Sequence, residues 1–570
     1  MDINFNVGGA AGQGIDTIGD LLTGIFVRSG FYTHTVKHFM SRIRGGYNFN
    51  QTRVSDRPIH APLDNFDLII ALTEDAIVGP RNNLNEGGII IYDDTIEFTG
   101  IEACHFSAPL QKTAKEVGGN IRMTNAAALG AVLSVIQFPF KLAEEALTEA
   151  FQRKGDKIVS GNVAVAKAMY DMTTEQFTGS CHLNLSDVQK GPCKDRLLIN
   201  GNNALALGAL AANIKWISAY PMSPSTQAFQ DIVAQAQGLK IGTLQVEDEI
   251  SALLMALGAS YGGARSLVTT SGGGFALMAE ALGLAGITET PVVIYNAQRP
   301  GPATGLPTRT EQGDLLFMAH ASQGEFSRIM LAPRNPIEGF DVAWRAFNLA
   351  DKYQVPVMIL GDQYYADSVM NIPKLDTSKV TIDRGKLAGA DPDYKRYKLT
   401  EDGVSPRAFP GDEGKVVVQS GNVHLEDGHI TEDQVMRNAM TEKLLNKVPH
   451  ILKDLNPPEI FGEEKADTTL LTWGTTWGAA YEAVELLSSA GASVNQLHFC
   501  DIYPLRREKL KQVFESAKQV VAVELNATSQ FARLVRMETG LTADHHINKY
   551  DGRPMSAEWI MSKIKEGGIL

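Results

Sequence analysis

TLQVEDEISALLMALGASYGG, residues 243–263, joins a short apolar run, three consecutive acids and an Ala/Leu-rich stretch with helical spacing. A strand that enters a helix through a brief polar turn is the repeating unit of an α/β layer architecture. At helical spacing Glu249 lies four residues before Leu253 and eight before Leu257, on the face that packs inward. An unpaired carboxylate in that position is costly, so the reading demands a partner for Glu249.

The same logic extends on both sides. KWISAYPMSPST, GARSLVTTSGGG, PVVIYNAQRPG, SRIMLAPRNP and PVMILGD are apolar runs that end in loops, with ISALLMALGAS and FALMAEALGLAGI as helices between them. Together they define a segment of about 195–375, and open α/β sheets place ligands at such strand ends. Upstream, about 1–185, INFNVGGAAGQGIDTIGDLLTGIFVRSG reads as strand, glycine loop and helix. FDLIIALTEDA and GGIIIYDDT are strands, and NAAALGAVLSVIQFPFKLAEEALTEAF is helical. SCHLNLSDVQKGPCKDR reads as the exit linker. A charged, proline-bearing stretch of about 376–465 shows little periodicity and reads as a linker or excursion. TTLLTWGTTWGAAYEAVELLSSAG, SVNQLHF and QVVAVELN return to α/β at about 466–570. The fold expected is therefore multidomain α/β with mostly parallel, three-layer sheets.

Composition narrows the function. At 570 residues the chain exceeds one core, and 44% hydrophobic with 21% charged residues is the make-up of a globular enzyme. A net charge of −13 argues against a nucleic-acid partner. No run approaches the roughly 20 apolar residues of a membrane span, and the first residues lack a signal peptide's pattern, so a cytoplasmic protein is expected. Cys104, Cys181, Cys193 and Cys500 have neither zinc-site nor cluster spacing, so no metal site is assigned to this chain.

Several loops carry possible chemistry. GGAAGQG, Gly8 to Gly14, follows a strand and opens a helix, which suits a phosphate or merely a tight turn. SRIRGGYNFNQTRV offers Arg42, Arg44 and Arg53, either as a phosphate clamp or as a solvated basic loop. TTSGGGFALMAE, with Gly272 and Gly273, is a second glycine turn, suited to close packing. YPMSPST presents Tyr220, Pro221 and a hydroxyl, Ser223, on a stiff loop, while NAQRPGPATGLPTRTEQGD offers Arg299 and Arg309. On these residues alone, Glu249 meets either a ligand or one of those arginines.

The motifs GGAAGQG, IRGG, YPMSPST, VEDEISA, TTSGGGFALMAEALG and QRPGPATGLPTRTEQGDL, in that order over nearly the whole chain, resemble a known family. They are similar to the 2-oxoacid:ferredoxin oxidoreductases, in the form with a γ domain fused ahead of the α subunit. The resemblance implies a Rossmann-like γ domain, a thiamine pyrimidine-binding domain and a transketolase C-terminal-like domain. It implies thiamine diphosphate as cofactor, with Glu249 on N1′ of the aminopyrimidine so that the 4′-amino group serves as internal base. Tyr220, Pro221, Gly272 and Gly273 then fall on the thiamine side. Ser223, where the family usually carries threonine, would help position the 2-oxoacid, and Arg299, with Arg309 second, would grip its carboxylate. Gly8, Gly9, Gly12, Gln13, Gly14 and Arg44 are where the resemblance places coenzyme A.

A GDG run followed about thirty residues later by Asn, which holds Mg²⁺ and diphosphate in thiamine enzymes, is absent from the sequence. So are the four cysteines of a [4Fe-4S] cluster. Both are expected on a β subunit, in an α2β2 assembly that hands electrons to ferredoxin and leaves this chain silent by itself. The substrate implied is 2-oxoglutarate, converted with coenzyme A to succinyl-CoA and CO₂, a reaction that low-potential ferredoxin also allows in reverse. Pyruvate or another 2-oxoacid is the alternative substrate. A non-catalytic nucleotide-binding scaffold is the alternative of a different class.

Overall fold

The computed structural model describes residues 1–40, 45–97, 103–177, 183, 185, 191–193 and 195–570. They form two compact units, 1–198 with 368–374, and 199–367 with 375–570.

The first unit is built on an eight-stranded sheet. Its order is Cys104–Ala108, Leu84–Asp93, Phe66–Ala71, Asp2–Ala11, Gly45–Ser55, Tyr32–His38, Val369–Pro373 and Arg196–Ile199. From Cys104–Ala108 to Asp2–Ala11 neighbours run parallel, and from there to Val369–Pro373 antiparallel. Helix Thr124–Val135 is apolar nearly all round because it is buried nearly all round. The long helical reading after Asn125 is two helices, Thr124–Val135 and Phe140–Phe151. Gln137 takes a left-handed φ of 54° between them, and Pro139, which lacks an N–H, caps the second.

Val369–Pro373, read from sequence with the second segment, belongs to this sheet. Asn371 explains the docking: its amide donates to the Phe31 carbonyl (2.7 Å) and accepts from the Thr33 N–H (2.9 Å). Those two bonds stand in for a rung of the ladder.

The second unit holds a seven-stranded sheet in the order Asp501–Tyr503, Ile329–Leu331, Pro356–Asp362, Val292–Gln298, Ser266–Thr270, Trp216–Ala219 and Gly242–Gln245. All pairs are parallel except that of Asp501–Tyr503. Val292–Gln298 and Pro356–Asp362 are buried along their whole length, as expected of parallel strands covered on both faces. A five-stranded sheet follows: Glu459–Gly462, Val494–Phe499, Thr468–Trp473, Gln519–Glu524 and His545–Asn548. Strand Val494–Phe499 continues within two residues into Asp501–Tyr503, so the chain passes directly from one sheet to the other. One apolar core, including Phe275, Met318, Met330, Trp473, Phe499 and Phe531, serves both sheets.

The stretch of 376–465 is packed rather than a linker. It has helices Gln434–Leu445 and Val448–Asp454; Val404, Ile451 and Leu455 join an apolar core of the second unit, and buried ion pairs, which hydrophobic spacing does not report, hold it as well. Buried Glu289 meets Lys443 Nζ at 2.5 Å and Lys447 Nζ at 2.6 Å, while Arg396 donates to the Glu289 carbonyl (2.7 Å) and to Gln354 (2.8 Å). Burial works to raise the Glu289 carboxyl, but these three cations hold it well below the usual range. Asp351 is a second such node, paired with Arg265 (2.9 Å), Arg384 (3.0 Å) and Arg407 (2.7 Å). Among the described residues, no helix is long and apolar enough to cross a membrane.

Candidate functional site

Four neighbouring strands of the seven-stranded sheet end on one edge, and each delivers part of the site. Gly242–Gln245 leads through Val246 and Glu247 to Asp248, whose carboxylate accepts from the Ser251 N–H (2.7 Å) and caps helix Glu249–Tyr261. That cap fixes Glu249 as the first helical residue and turns it inward, 4% exposed. Its Oε1 has no hydrogen-bond partner among the described residues.

Ser266–Thr270 ends in Ser271 and the glycine run. A β-carbon at Gly274 would fall 2.2 Å from Thr270 Oγ1 and 2.6 Å from Glu249 Oε1. Only glycine lets the backbone pass this close to the acid. Gly272 meets a second carboxylate in the same way: its β-carbon would lie 2.4 Å from both Asp314 oxygens. Gly273, between them, is exposed, with its closest such contact at 3.7 Å. The run is therefore flanked by an acid at each end.

Trp216–Ala219 ends in the loop of Tyr220 to Ser225. Tyr220 is exposed, Pro221 and Ser223 half-buried. Asn202 donates to the Pro224 carbonyl (3.0 Å) and is itself held by the Tyr295 hydroxyl (3.1 Å), which fixes the loop from below. Val292–Gln298 ends at Arg299, whose Nη1 donates to the Ser223 carbonyl (2.8 Å). Ser223 and Arg299, named from sequence, are thus in contact. Burial lowers the pKa of Arg299 from its ordinary value, while the carboxylates of Asp314 and Glu249 oppose that shift.

Arg309 stands elsewhere on the loop. Its side chain packs on Gly552, and its pKa is lowered to about 10 by burial and by Arg553. Its Nη1 has no partner among the described residues.

Asp314 was not singled out in the sequence. It accepts from Asn296 Nδ2 (2.9 Å), its backbone N–H donates to Gln298 Oε1 (3.0 Å), and burial raises its carboxyl to about 6 against the opposing pull of Asn296 and Arg299. Ser271 Oγ and Asn296 Oδ1, both fully buried, are likewise without partners among the described residues. Three unsatisfied polar atoms at adjacent strand ends, Glu249 Oε1 included, are costly for a closed interior and suited to a polar ligand. The sequence signal for Asp314 is an acid directly before a short apolar helix, Leu315–His320.

In the first unit, Gly8 and Gly9 lie in strand Asp2–Ala11, against Ala76 and Tyr47, and against Leu72 and Gln13. Gln13 Oε1 accepts from the Ala10 N–H (2.8 Å), closing the turn. Gly12 is open and Gly14 precedes helix Ile15–Arg28, both at positive φ. Arg42, Arg44 and Cys181 lie outside the described residues. Arg53 is not a phosphate donor: it forks onto Asp2 (2.8 and 2.6 Å) and donates to the Ala61 carbonyl (2.7 Å), buried within the sheet. No group of three or more acids, histidines or cysteines able to hold a metal ion occurs among the described residues.

Comparisons with known proteins cover both units. Residues 207–443 match the family described as pyruvate flavodoxin/ferredoxin oxidoreductase, thiamine diphosphate-binding, and residues 4–172 match pyruvate ferredoxin/flavodoxin oxidoreductase. The 2-oxoacid:ferredoxin oxidoreductase subunit alpha of a Sulfolobus species is 30% identical, covering 100% of this chain and 98% of the relative. The 2-oxoglutarate synthase subunit KorA of Methanothermobacter marburgensis is 30% identical over 65% of this chain and 98% of its own length. A solved 2-oxoglutarate:ferredoxin oxidoreductase from Magnetococcus marinus, with 2-oxoglutarate, coenzyme A and succinyl-CoA bound, superposes with a TM-score of 0.94. It is 30% identical and covers 99% of each chain.

Proposed function

Since this chain belongs to the α subunits of the 2-oxoacid:ferredoxin oxidoreductases, we propose that it supplies the pyrimidine half of a thiamine diphosphate site acting on 2-oxoglutarate. The product is succinyl-CoA with CO₂, and the electrons leave through a cluster-bearing β subunit to ferredoxin. One observation carries the reading: a buried glutamate oxygen at a strand end, unsatisfied, against a glycine that alone permits its position. A protonated ring nitrogen is the partner such an oxygen lacks, and a dry site strengthens that bond.

Bound thiamine diphosphate supplies the nucleophilic carbon and the electron sink that decarboxylation of a 2-oxoacid needs. Glu249 Oε1 holds the proton on N1′ of the pyrimidine. Gly272 and Gly273 keep the floor of the site free of side chains, and Tyr220 and Pro221 form its rim. Arg299, anchored through one nitrogen on the Ser223 carbonyl, keeps the rest of its guanidinium fork for the substrate carboxylate. Ser223 lends its hydroxyl at the same end. Arg309 is the alternative grip, turned toward Gly552 rather than Ser223. Gly8, Gly9, Gly12, Gln13, Gly14 and Arg44 are assigned to coenzyme A, while Mg²⁺ and the iron–sulfur cluster are assigned to the β subunit, in an α2β2 assembly.

The test is methyl viologen reduction by the chain purified with its β partner, with coenzyme A and a panel of 2-oxoacids. Turnover fastest on 2-oxoglutarate, and none by the isolated chain, is expected. A preference for pyruvate would overturn the substrate assignment, and activity of the isolated chain would overturn the shared site.

A further inference from the structure

We propose that Arg309, with Arg553 at the rim beside it, binds the second carboxylate of a dicarboxylic 2-oxoacid and so selects that class over monocarboxylic 2-oxoacids. The inference rests on Arg299 as the grip for the first carboxylate and deepens that reading. A diacid drawn into the site brings two charges, and a carboxylate left there without a cation is costly.

The loop after Arg299 doubles back on itself. The Leu306 N–H donates to the Pro300 carbonyl (3.0 Å), and the Arg309 N–H donates to the Leu306 carbonyl (3.1 Å). Between them the Ala303 carbonyl stands 3.7 Å from the place of a β-carbon on Gly273, so the loop lies over the glycine run of the site. Arg309 is thereby returned to within two short turns of Pro300, the residue after Arg299.

The far side of the loop is seated on Gly552. A β-carbon there would fall 3.0 Å from Arg309 Cβ, 3.4 Å from Arg309 Cγ and 3.3 Å from Leu306 Cδ1. The Gly552 carbonyl accepts from the Thr310 N–H (3.4 Å) and from Arg553 Nη1 (3.4 Å). One glycine therefore holds the stem of Arg309, half-buried, and the fork of Arg553, exposed.

Neither cation is neutralised. Arg309 Nη1 is shut off from solvent without a hydrogen-bond partner, and neither arginine forms an ion pair, among the described residues. Asp551, the acid nearest in sequence, is already engaged: Lys549 Nζ lies 2.7 Å from one oxygen, and the Arg553 N–H donates to the other (2.9 Å). A buried guanidinium nitrogen lacking an acceptor is costly, and an oxyanion is the ligand that satisfies it. A carboxylate and a phosphate share that chemistry. The substrate carboxylate is favoured because Arg309 stands on the loop that carries Arg299 and covers the site.

The test compares 2-oxoglutarate with 2-oxopentanoate, the same carbon chain without the distal carboxylate, in the complex with the β subunit. In Arg309→Gln the ratio of kcat/KM for 2-oxoglutarate to that for 2-oxopentanoate should fall about ten- to a hundredfold, through KM rather than kcat. Arg309→Lys, which keeps the charge, should recover part of that loss. Arg553→Gln, at an exposed position, should lower the ratio by a smaller factor, and KM for coenzyme A should hold in all three. A merely structural role slows both acids alike, and an unchanged ratio in Arg309→Gln overturns the proposal. If that variant does not assemble, an unchanged ratio in both Arg309→Lys and Arg553→Gln overturns it equally. A raised KM for coenzyme A beside an unchanged ratio gives the anion site to a phosphate and also overturns it. Arg299→Ala should impair both acids: if it impairs neither, the parent reading falls, whereas an impaired Arg299→Ala beside a wild-type ratio in Arg309→Gln removes only the second subsite.

Discussion

Glu249 owes its position to two neighbours, Asp248 as helix cap and Gly274 as the only residue type that leaves room beside it. Replacing it with glutamine keeps the shape and removes the charge that, in the proposed function, holds a ring proton. In the complex with its β partner, Glu249→Gln should lower 2-oxoacid oxidation by about 10²- to 10⁴-fold. The melting temperature of the isolated chain should stay level or rise, because an unsatisfied buried carboxylate is lost. Gly274→Ala tests the same geometry from the other side. Its methyl must displace Glu249 or Thr270, so both activity and melting temperature should drop, whereas Gly273→Ala, with open space, should leave the melting temperature of the isolated chain unchanged. Equal melting temperatures for the two alanine variants would contradict the packing described.

At the scale of elements, helix Gln434–Leu445 and the residues just after it are held to the seven-stranded domain by charge as much as by apolar contact. Glu289 is the shared anion for Lys443, Lys447 and Arg396, all buried. Removing one side of a buried ionic cluster strands the other, so Glu289→Gln should cost about 3–5 kcal/mol in denaturant unfolding. The pH dependence has a definite sign. A carboxyl whose folded pKa is depressed contributes stability above its unfolded value, near 4.5, and loses it as pH falls further. The gap between wild type and Glu289→Gln should therefore be constant from pH 5.5 to 7 and narrow on acidification below about 4.5. A gap that stays open at low pH would mean that packing, not charge, fastens the excursion.

Over the whole molecule, residues around the five-stranded sheet hold the loop that leads to the candidate site. Gln312 reaches the Trp473 carbonyl (3.1 Å), Asn526 reaches the Gln312 carbonyl (3.2 Å) and the Thr310 N–H reaches the Gly552 carbonyl (3.4 Å), so the loop between Arg299 and Asp314 is pinned to it. The pyrimidine side of the cofactor is all this chain offers in the proposed function. Thiamine diphosphate with Mg²⁺ should consequently leave the melting temperature of the isolated chain unmoved and raise that of the α–β complex by several degrees. The stabilisation expected at a ligand concentration 100 times the Kd is about 2.7 kcal/mol. An equal shift in both samples would place the diphosphate site on this chain.

The sequence by itself determined the α/β class, the inward acid at 249 and the strand-end loops bearing Ser223 and Arg299, because these are local patterns of period, cap and turn. It also indicated the family, whose motifs lie in order along nearly the whole chain. Tertiary structure alone decided what depends on residues far apart in the chain meeting in space. Such are the transfer of Val369–Pro373 to the first sheet through Asn371, the buried ion pairs of the excursion, the burial of Arg53 on Asp2, and the approach of Asp314 to Gly272. Hydrophobic spacing reports which face of an element is buried. It carries no record of which distant charge or backbone group will be found on the other side.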